Sequence, residues 1–283
     1  MKTSQAKTVN AGDWITGNIV LNIQGSRVEM RMTVPAAPVK PHRMLPVFQK
    51  MTNSFVGVSV DAVEAAGKAI SCKMGCAACC RQPVPLAEVE IYQIADLVDS
   101  MPEPRRGEIK KRFADAFGHF TELSWFERLK DLRETYDREN PDVLKTAFSE
   151  IFLEYFYAAI PCPFLENEAC SIYENRPLAC REYLVTSPAE NCRHPTAESI
   201  DRVELLIEPS SSVRDLGRTE NSMNLGALTM ISALDFAQRH PENFPEKPGP
   251  RWAADFFELL TKTRISGRPA ALVRKKRRKK ASA

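Results

Sequence analysis

Residues 72–99 read CKMGCAACCRQPVPLAEVEIYQIADLVD. Cys72, Cys76, Cys79 and Cys80 fall within nine residues and are flanked by the small side chains of Gly75, Ala77 and Ala78. Small neighbours let the backbone curl so that sulfurs converge while N–H groups point at them. Beyond Pro85 the period changes. Ala87, Ile91, Ile94, Ala95 and Val98 recur on one face and Glu90, Gln93, Asp96 and Asp99 on another, which predicts an amphipathic helix. Glu88 and Glu90 sit where a helix dipole favours acids, and Glu90 is also a candidate oxygen ligand or proton carrier. A cysteine knot that runs directly into a helix sets the expected fold: mainly α, organised around a cysteine-cluster metal site.

The other four of the eight cysteines, Cys162, Cys170, Cys180 and Cys192, lie in PCPFLENEACSIYENRPLACREYLVTSPAENC, residues 161–192. Prolines and aromatics make this a segment of loops and short helical turns that can wrap over the first group. Buried apolar cysteines are common in cores, but four in nine residues call for a metal. Several thiolates bring a charge burden that a soft ion or an iron–sulfur core offsets. Around the second group, Arg176 and Arg181 flank Cys180 as charge-compensating candidates, Tyr173 covers the site, and His194 is a lesser ligand candidate behind Cys192.

Further out, short apolar runs from Trp14 to Leu21 and Val28 to Val34 surround Gln24-Gly25-Ser26 and predict a β-hairpin. A proline-rich connector, Pro35 to Pro46, follows, then a helix over 61–70. More helices are expected near 105–118, 122–135, 143–159, 224–239 and 251–263. The 143–159 helix carries Phe148, Phe152, Tyr155, Phe156 and Tyr157 as a core-facing stripe. The expected organisation is a hairpin and connector over 1–60, a metal-binding domain over 61–200, a helical extension over 201–265 and a flexible basic tail over 266–283.

At 283 residues with 43% hydrophobic and 27% charged side chains, the chain has the composition of a folded globular protein. Its +3 charge is misleading. The run from Arg274 to Lys280 holds seven cations, without which 32 basic face 36 acidic residues. That tail predicts weak, salt-sensitive binding of nucleic acid or an anionic surface; no aromatics interrupt it for base stacking. The polar N-terminus gives no signal-peptide core and no stretch reaches a membrane span, so a cytoplasmic location with reduced thiols is expected. No G-x-S-x-G, HExxH or G-x-x-x-x-G-K-[ST] sequence occurs, which removes the support for three common enzyme classes.

The C-x3-C-x2-C spacing of Cys72, Cys76 and Cys79 also matches radical S-adenosylmethionine enzymes, but those alternate strands and helices, whereas helix follows helix here. The joint pattern resembles the YkgJ-like cysteine-cluster family, described as zinc- or iron-chelating domains. It is carried by CxxxCxxCC at Cys72, Cys76, Cys79 and Cys80, then by Pro161, Cys162, Pro163, Phe164, Leu165, Cys170, Ile172, Tyr173, Arg176, Pro177, Cys180, Arg181 and Cys192. The resemblance spans roughly 70–195 and implies metal binding more than any reaction. Flagellin lysine N-methylases share the cysteine pattern and offer a precedent for an enzyme with an iron–sulfur cluster.

The chain is therefore expected to hold an iron–sulfur cluster, of the 4Fe–4S type, with a redox or cluster-dependent role. The alternatives are a zinc-stabilised module that binds a protein partner, and a cluster-dependent modifying enzyme such as a protein methyltransferase. Adjacent side chains diverge on helix or strand, so Cys79 and Cys80 should differ. Cys72, Cys76 and Cys79 are expected to share a centre, for which the resemblance suggests Cys180 as the distal partner, while Cys80 turns to Cys162, Cys170 or Cys192. Two four-thiolate sites, bridging sulfurs and a single occupied site all fit the spacing.

Overall fold

The computed structural model describes residues 12–23, 26–134, 141–196, 198–219 and 228–266. The basic run of the tail, the Gln24-Gly25 turn and residues 224–227 of an expected helix lie outside the described residues. Strands β1 (Trp14–Ile23) and β2 (Ser26–Pro35) pair antiparallel with Ile23 opposite Ser26, which is the expected hairpin. β2 then feeds β3 (Pro38–Val39) and a single 3-10 turn over Pro41–Met44.

Helix α1 (Leu45–Ala65) is the main departure from the expected elements. It starts sixteen residues before the expected 61–70 helix and ends five before its end. Pro46 stands in the first turn, where a missing N–H costs nothing. Leu45, Phe48, Gln49, Thr52, Phe55, Val56 and Ser59 are buried at a helical period. The run Val56-Gly57-Val58-Ser59-Val60 has weak helix propensity, and burial of that stripe overrides it. Gly67, at φ 80, takes the left-handed position past the end of the helix.

Helices α2 (Glu88–Asp99), α3 (Arg105–Glu122), α4 (Trp125–Glu134) and α5 (Pro141–Ala158) follow the expected order. A two-strand hairpin of β4 (Leu165–Glu166) and β5 (Ala169–Cys170) comes next. After it come the short α6 (Leu178–Glu182), then α7 (Pro209–Leu216), α8 (Ala233–Arg239), β6 (Lys247–Pro248) and α9 (Gly249–Ser266). The fold is mainly α with small antiparallel two-strand sheets. No helix among the described residues is long and apolar enough to cross a membrane.

The larger core joins Val34 of β2, Phe48 of α1, Ile91 of α2 and Phe113 of α3 to Trp252 and Phe256 of α9. Phe48 and Phe256 stack with centroids 4.4 Å apart, so the first and last helices share one interior. A second core packs α3, α4 and α5. There Phe120 and Tyr155 stack at 4.1 Å, and the Trp125 indole N–H donates to the Ile151 carbonyl at 2.9 Å. Phe148, Phe152 and Tyr155 of the aromatic stripe pack into this core, whereas Tyr157 is 76% exposed.

Candidate metal centre

One loop carries four of the cysteines, and the others come from the Cys162 loop, β5 (Cys170), α6 (Cys180) and a 3-10 turn over Ala189–Arg193 (Cys192). The four-cysteine loop leaves α1, is held by the Ser71 N–H on the Val185 carbonyl at 2.9 Å, and turns back at Gly75, whose φ of 84 suits glycine. The turn lets the Cys76 N–H reach the Lys73 carbonyl, and the next one ties the Cys80 N–H to Ala77 at 3.0 Å. Ala77 and Ala78 are buried under it, so the small residues allow close packing there.

The second group is fastened to the first through the backbone. The Cys162 N–H donates to the Cys80 carbonyl at 2.7 Å. The β4–β5 turn uses Asn167 and Glu168, both with positive φ, as a two-residue hairpin requires. This turn carries Cys170 back over the loop. Glu168 accepts from Arg81 at 2.7 Å and from Arg193 at 3.0 Å, which pins the hairpin to both the Cys80 and the Cys192 segments. Its carboxyl is held below the usual range by the Arg81 hydrogen bond.

Cys76, Cys79, Cys80, Cys162, Cys170 and Cys180 open onto one cavity of about 130 Å³, shared with Gln82, Phe164, Tyr173, Arg176 and Met230. Cys192 is buried and packed with Cys72, Cys76, Cys79, Ala78, Val185 and Tyr183. The Val185 N–H donates to Cys72 Sγ at 3.4 Å. All eight sequence-predicted cysteines thus fall in one region, with Cys76 and Cys79 common to both groups. The distal thiol packed with Cys72, Cys76 and Cys79 is Cys192, while Cys180 faces the cavity.

A hydrogen bond between the Cys79 and Cys80 side chains, then burial, holds the Cys79 pKa far above the ordinary thiol value. Burial pushes Cys162 up to about 12 and Cys192 up to about 11, and raises Cys72, Cys170 and, strongly, Cys180. Cys79 and Cys80 lie in an irregular turn, where the regular geometry of helix and strand does not operate. Among the described residues, no three His, Cys, Asp or Glu side chains are already arranged to hold a metal ion. The donor set nevertheless fits a thiophilic metal. It offers convergent soft ligands, and metal binding would displace their protons.

Arg176 lies over the Tyr173 ring, 4.0 Å from its centroid, and its charge acts to lower the pKa values of Cys72, Cys79, Cys170 and Cys180. Its Nε is buried without a hydrogen-bond partner, as is Nε2 of Gln82 beside the same cavity. Two orphaned donors at a thiol cavity suit acceptor sulfurs of a loaded centre. Arg181 is placed differently. It is buried behind the loop and donates to the carbonyls of Arg176 and Glu174 and to Asn53 Oδ1. It fixes the backbone that carries Arg176 and Cys180. His194 is exposed.

Several supporting residues escaped the sequence reading. Gln49 of α1 donates to the Arg176 carbonyl at 3.3 Å, and Asn53 sits one turn further along. The buried Glu90 carboxyl accepts from Ala87 N–H at 2.9 Å and from Leu178 N–H at 2.8 Å, so it starts α2 and anchors α6 together. Burial holds its pKa above the ordinary value. This places Glu90 as a structural acid, not as a neighbour of the sulfurs lining the cavity. Glu88 similarly accepts from the Thr219 hydroxyl at 2.6 Å.

No curated protein and no solved structure gives a significant match to the chain. Residues 71–200 match a family model, although this chain has three residues, not two, between its first two cysteines. That segment, with all eight cysteines inside it, is similar to the family described as "CxxCxxCC: Putative zinc- or iron-chelating domain".

Proposed function

We propose that the cavity holds an iron–sulfur cluster of the 4Fe–4S type, ligated by Cys80, Cys162, Cys170 and Cys180, and that the chain uses it in a redox or cluster-dependent role. The observation that carries this reading is that six cysteines surround one cavity of about 130 Å³. A lone zinc ion is enclosed by four sulfurs at roughly 2.3 Å and needs no such space. A cluster brings its own inorganic sulfide and takes one cysteine at each iron. When bound it would supply one-electron chemistry. The chain's part is to present the thiolates, exclude water with Phe164, Ile172 and Met230, and offer the Arg176 cation and the Gln82 amide to the sulfurs. Donors and burial of this kind set the potential of a cluster.

A reducing cytoplasm would keep the thiols available for loading. The basic run from Arg274 to Lys280 would add salt-sensitive attraction to nucleic acid or an anionic surface. Binding that survives high salt would refute that part. For the cluster, anaerobic reconstitution with iron and sulfide is the test. C170S and C180S are expected to lose iron and sulfide together, and retention of both by either variant would refute the ligand set.

A further inference from the structure

We infer that the groove between the N-terminal hairpin and α1 binds single-stranded nucleic acid, with a base stacked on Trp14 and phosphates held by Arg31, Arg43 and Lys50. The groove is a cavity of about 430 Å³ that shares no residue with the cysteine cavity. Pockets of about 300–1,000 Å³ are of ligand size. Four elements build it. Trp14 opens β1, Arg31 lies on β2, Arg43 on the 3-10 turn and Lys50 on α1. The hairpin register pairs Trp14 with Pro35, Thr16 with Thr33 and Asn18 with Arg31. Side chains alternate along a strand, so Trp14, Thr33 and Arg31 share one face, and the Thr16 and Thr33 hydroxyls meet on it at 2.9 Å. The opposite face goes inward: Val34 is buried, and Met30 and Met32 pack against the larger core.

The lining is charged in one sense. It holds three cations and no carboxylate, although the chain without its basic run has more acids than bases. Among the described residues Arg31, Arg43 and Lys50 form no ion pair, whereas Arg27 on the same hairpin binds Glu29 at 2.7 Å and Lys40 before the turn binds Glu242 at 3.1 Å. Cations that repel one another around a groove attract an anion to it. Trp14 is 64% exposed, and its indole meets no ring or cation among the described residues. Met32 and the buried Met51 give the groove a polarisable floor that adapts to different ring shapes. Cations that follow a phosphate backbone beside an aromatic platform are how proteins hold single strands whatever their sequence. In a duplex the base faces are covered by their neighbours, so Trp14 favours the single strand. An acidic peptide would use the cations and leave the indole idle, and a flat anionic bilayer does not enter a groove. The basic run from Arg274 to Lys280 has no aromatic residue, so it supplies charge but not stacking.

The test titrates the full chain with oligothymidylate and oligouridylate, and follows tryptophan emission together with the anisotropy of a labelled strand. The chain has three tryptophans, of which Trp125 and Trp252 are buried, so quenching of the solvent-exposed emission reports Trp14. Quenching that saturates with the anisotropy is expected for either strand, and much less of it with duplex DNA. Trp14→Ala should weaken binding roughly tenfold. Arg43→Gln and Lys50→Gln should each flatten the fall of log affinity with log salt by about 0.7. Changing the cations of the basic run to serine should weaken binding but leave the quenching at saturation in place. Anisotropy without quenching, or quenching lost when the run alone is changed, would overturn the groove and give the binding to the tail. Full affinity in Trp14→Ala would overturn it too. Quenching by phosphatidylserine vesicles or by polyglutamate, but by neither strand, would overturn it in favour of a membrane or an acidic peptide. Trp14, Arg43 and Lys50 are exposed, so the variants should keep the wild-type circular dichroism, and the wild-type quenching decides in any case.

Discussion

The Oε1 atom of Glu90 accepts the Leu178 N–H at 2.8 Å, a contact across 88 positions of the chain. It joins the helix that follows the first cysteine loop to the helix that carries Cys180. Glu90→Ala would leave two buried N–H groups, those of Ala87 and Leu178, without their acceptor. Hydrogen bonds to such a group contribute roughly 1.5–3 kcal/mol each, so a loss of at least about 2 kcal/mol is expected in urea unfolding. Glu90→Gln, which keeps one acceptor oxygen, should lose less. Equal stability of all three proteins would show that the anchor is idle.

The Arg176 charge acts on Cys72, Cys79, Cys170 and Cys180, and Gln49 and Arg181 hold its backbone. Arg176→Leu should weaken metal retention in a chelator competition by roughly tenfold, the low end for partners that surround metal ligands. Arg176→Lys should restore part of that loss, because it returns the charge without the planar fork. Unchanged retention in Arg176→Leu would remove Arg176 from the site.

Phe256→Ala should cost about 3–5 kcal/mol, as large-to-small changes at buried aromatics do. Because Phe256 stacks on Phe48, the loss should appear in one cooperative transition that includes α1. Two separated transitions in the wild-type chain, with only the later residues affected by the substitution, would contradict a shared core.

His42 gives the clearest pH dependence away from the cysteines. Burial lowers its pKa from 6.5, against the pull of Asp96 and Glu242 and alongside the repulsion of Arg43 and Lys40. The unfolded chain therefore binds the proton more readily than the folded one. Stability should fall as pH drops through the ordinary value of 6.5, by at most about 1.4 kcal/mol per unit from this group. Melting of the wild-type chain and of His42→Gln between pH 7.5 and pH 5 should show a shallower decline in the variant. Parallel declines would contradict the buried neutral imidazole.

The cysteine site was legible because its signal is local: spacing, small neighbours and a helix that starts on two acids. The hairpin and the helices from α2 to α5 were legible through their periods. Helix α1 was not, since Val56, Gly57, Ser59 and Val60 read against a helix and only burial against α2 and β2 resolves it. The pairing of cysteines was also beyond the sequence. Cys79 and Cys80 share an irregular turn that no regular geometry describes, and Cys192 reaches Cys72 through the Val185 segment. Gln49, Asn53 and Glu90 act on residues far along the chain, so nothing beside them marks their part in the site.

The central claim is that the cysteine cavity is built for a cluster. Its most direct test is the iron, acid-labile sulfide and visible absorption of the full chain purified without oxygen. The account predicts a brown protein with iron and sulfide in equal amounts, both lost in C170S. A colourless wild-type chain that holds zinc but takes up neither iron nor sulfide on reconstitution would contradict it.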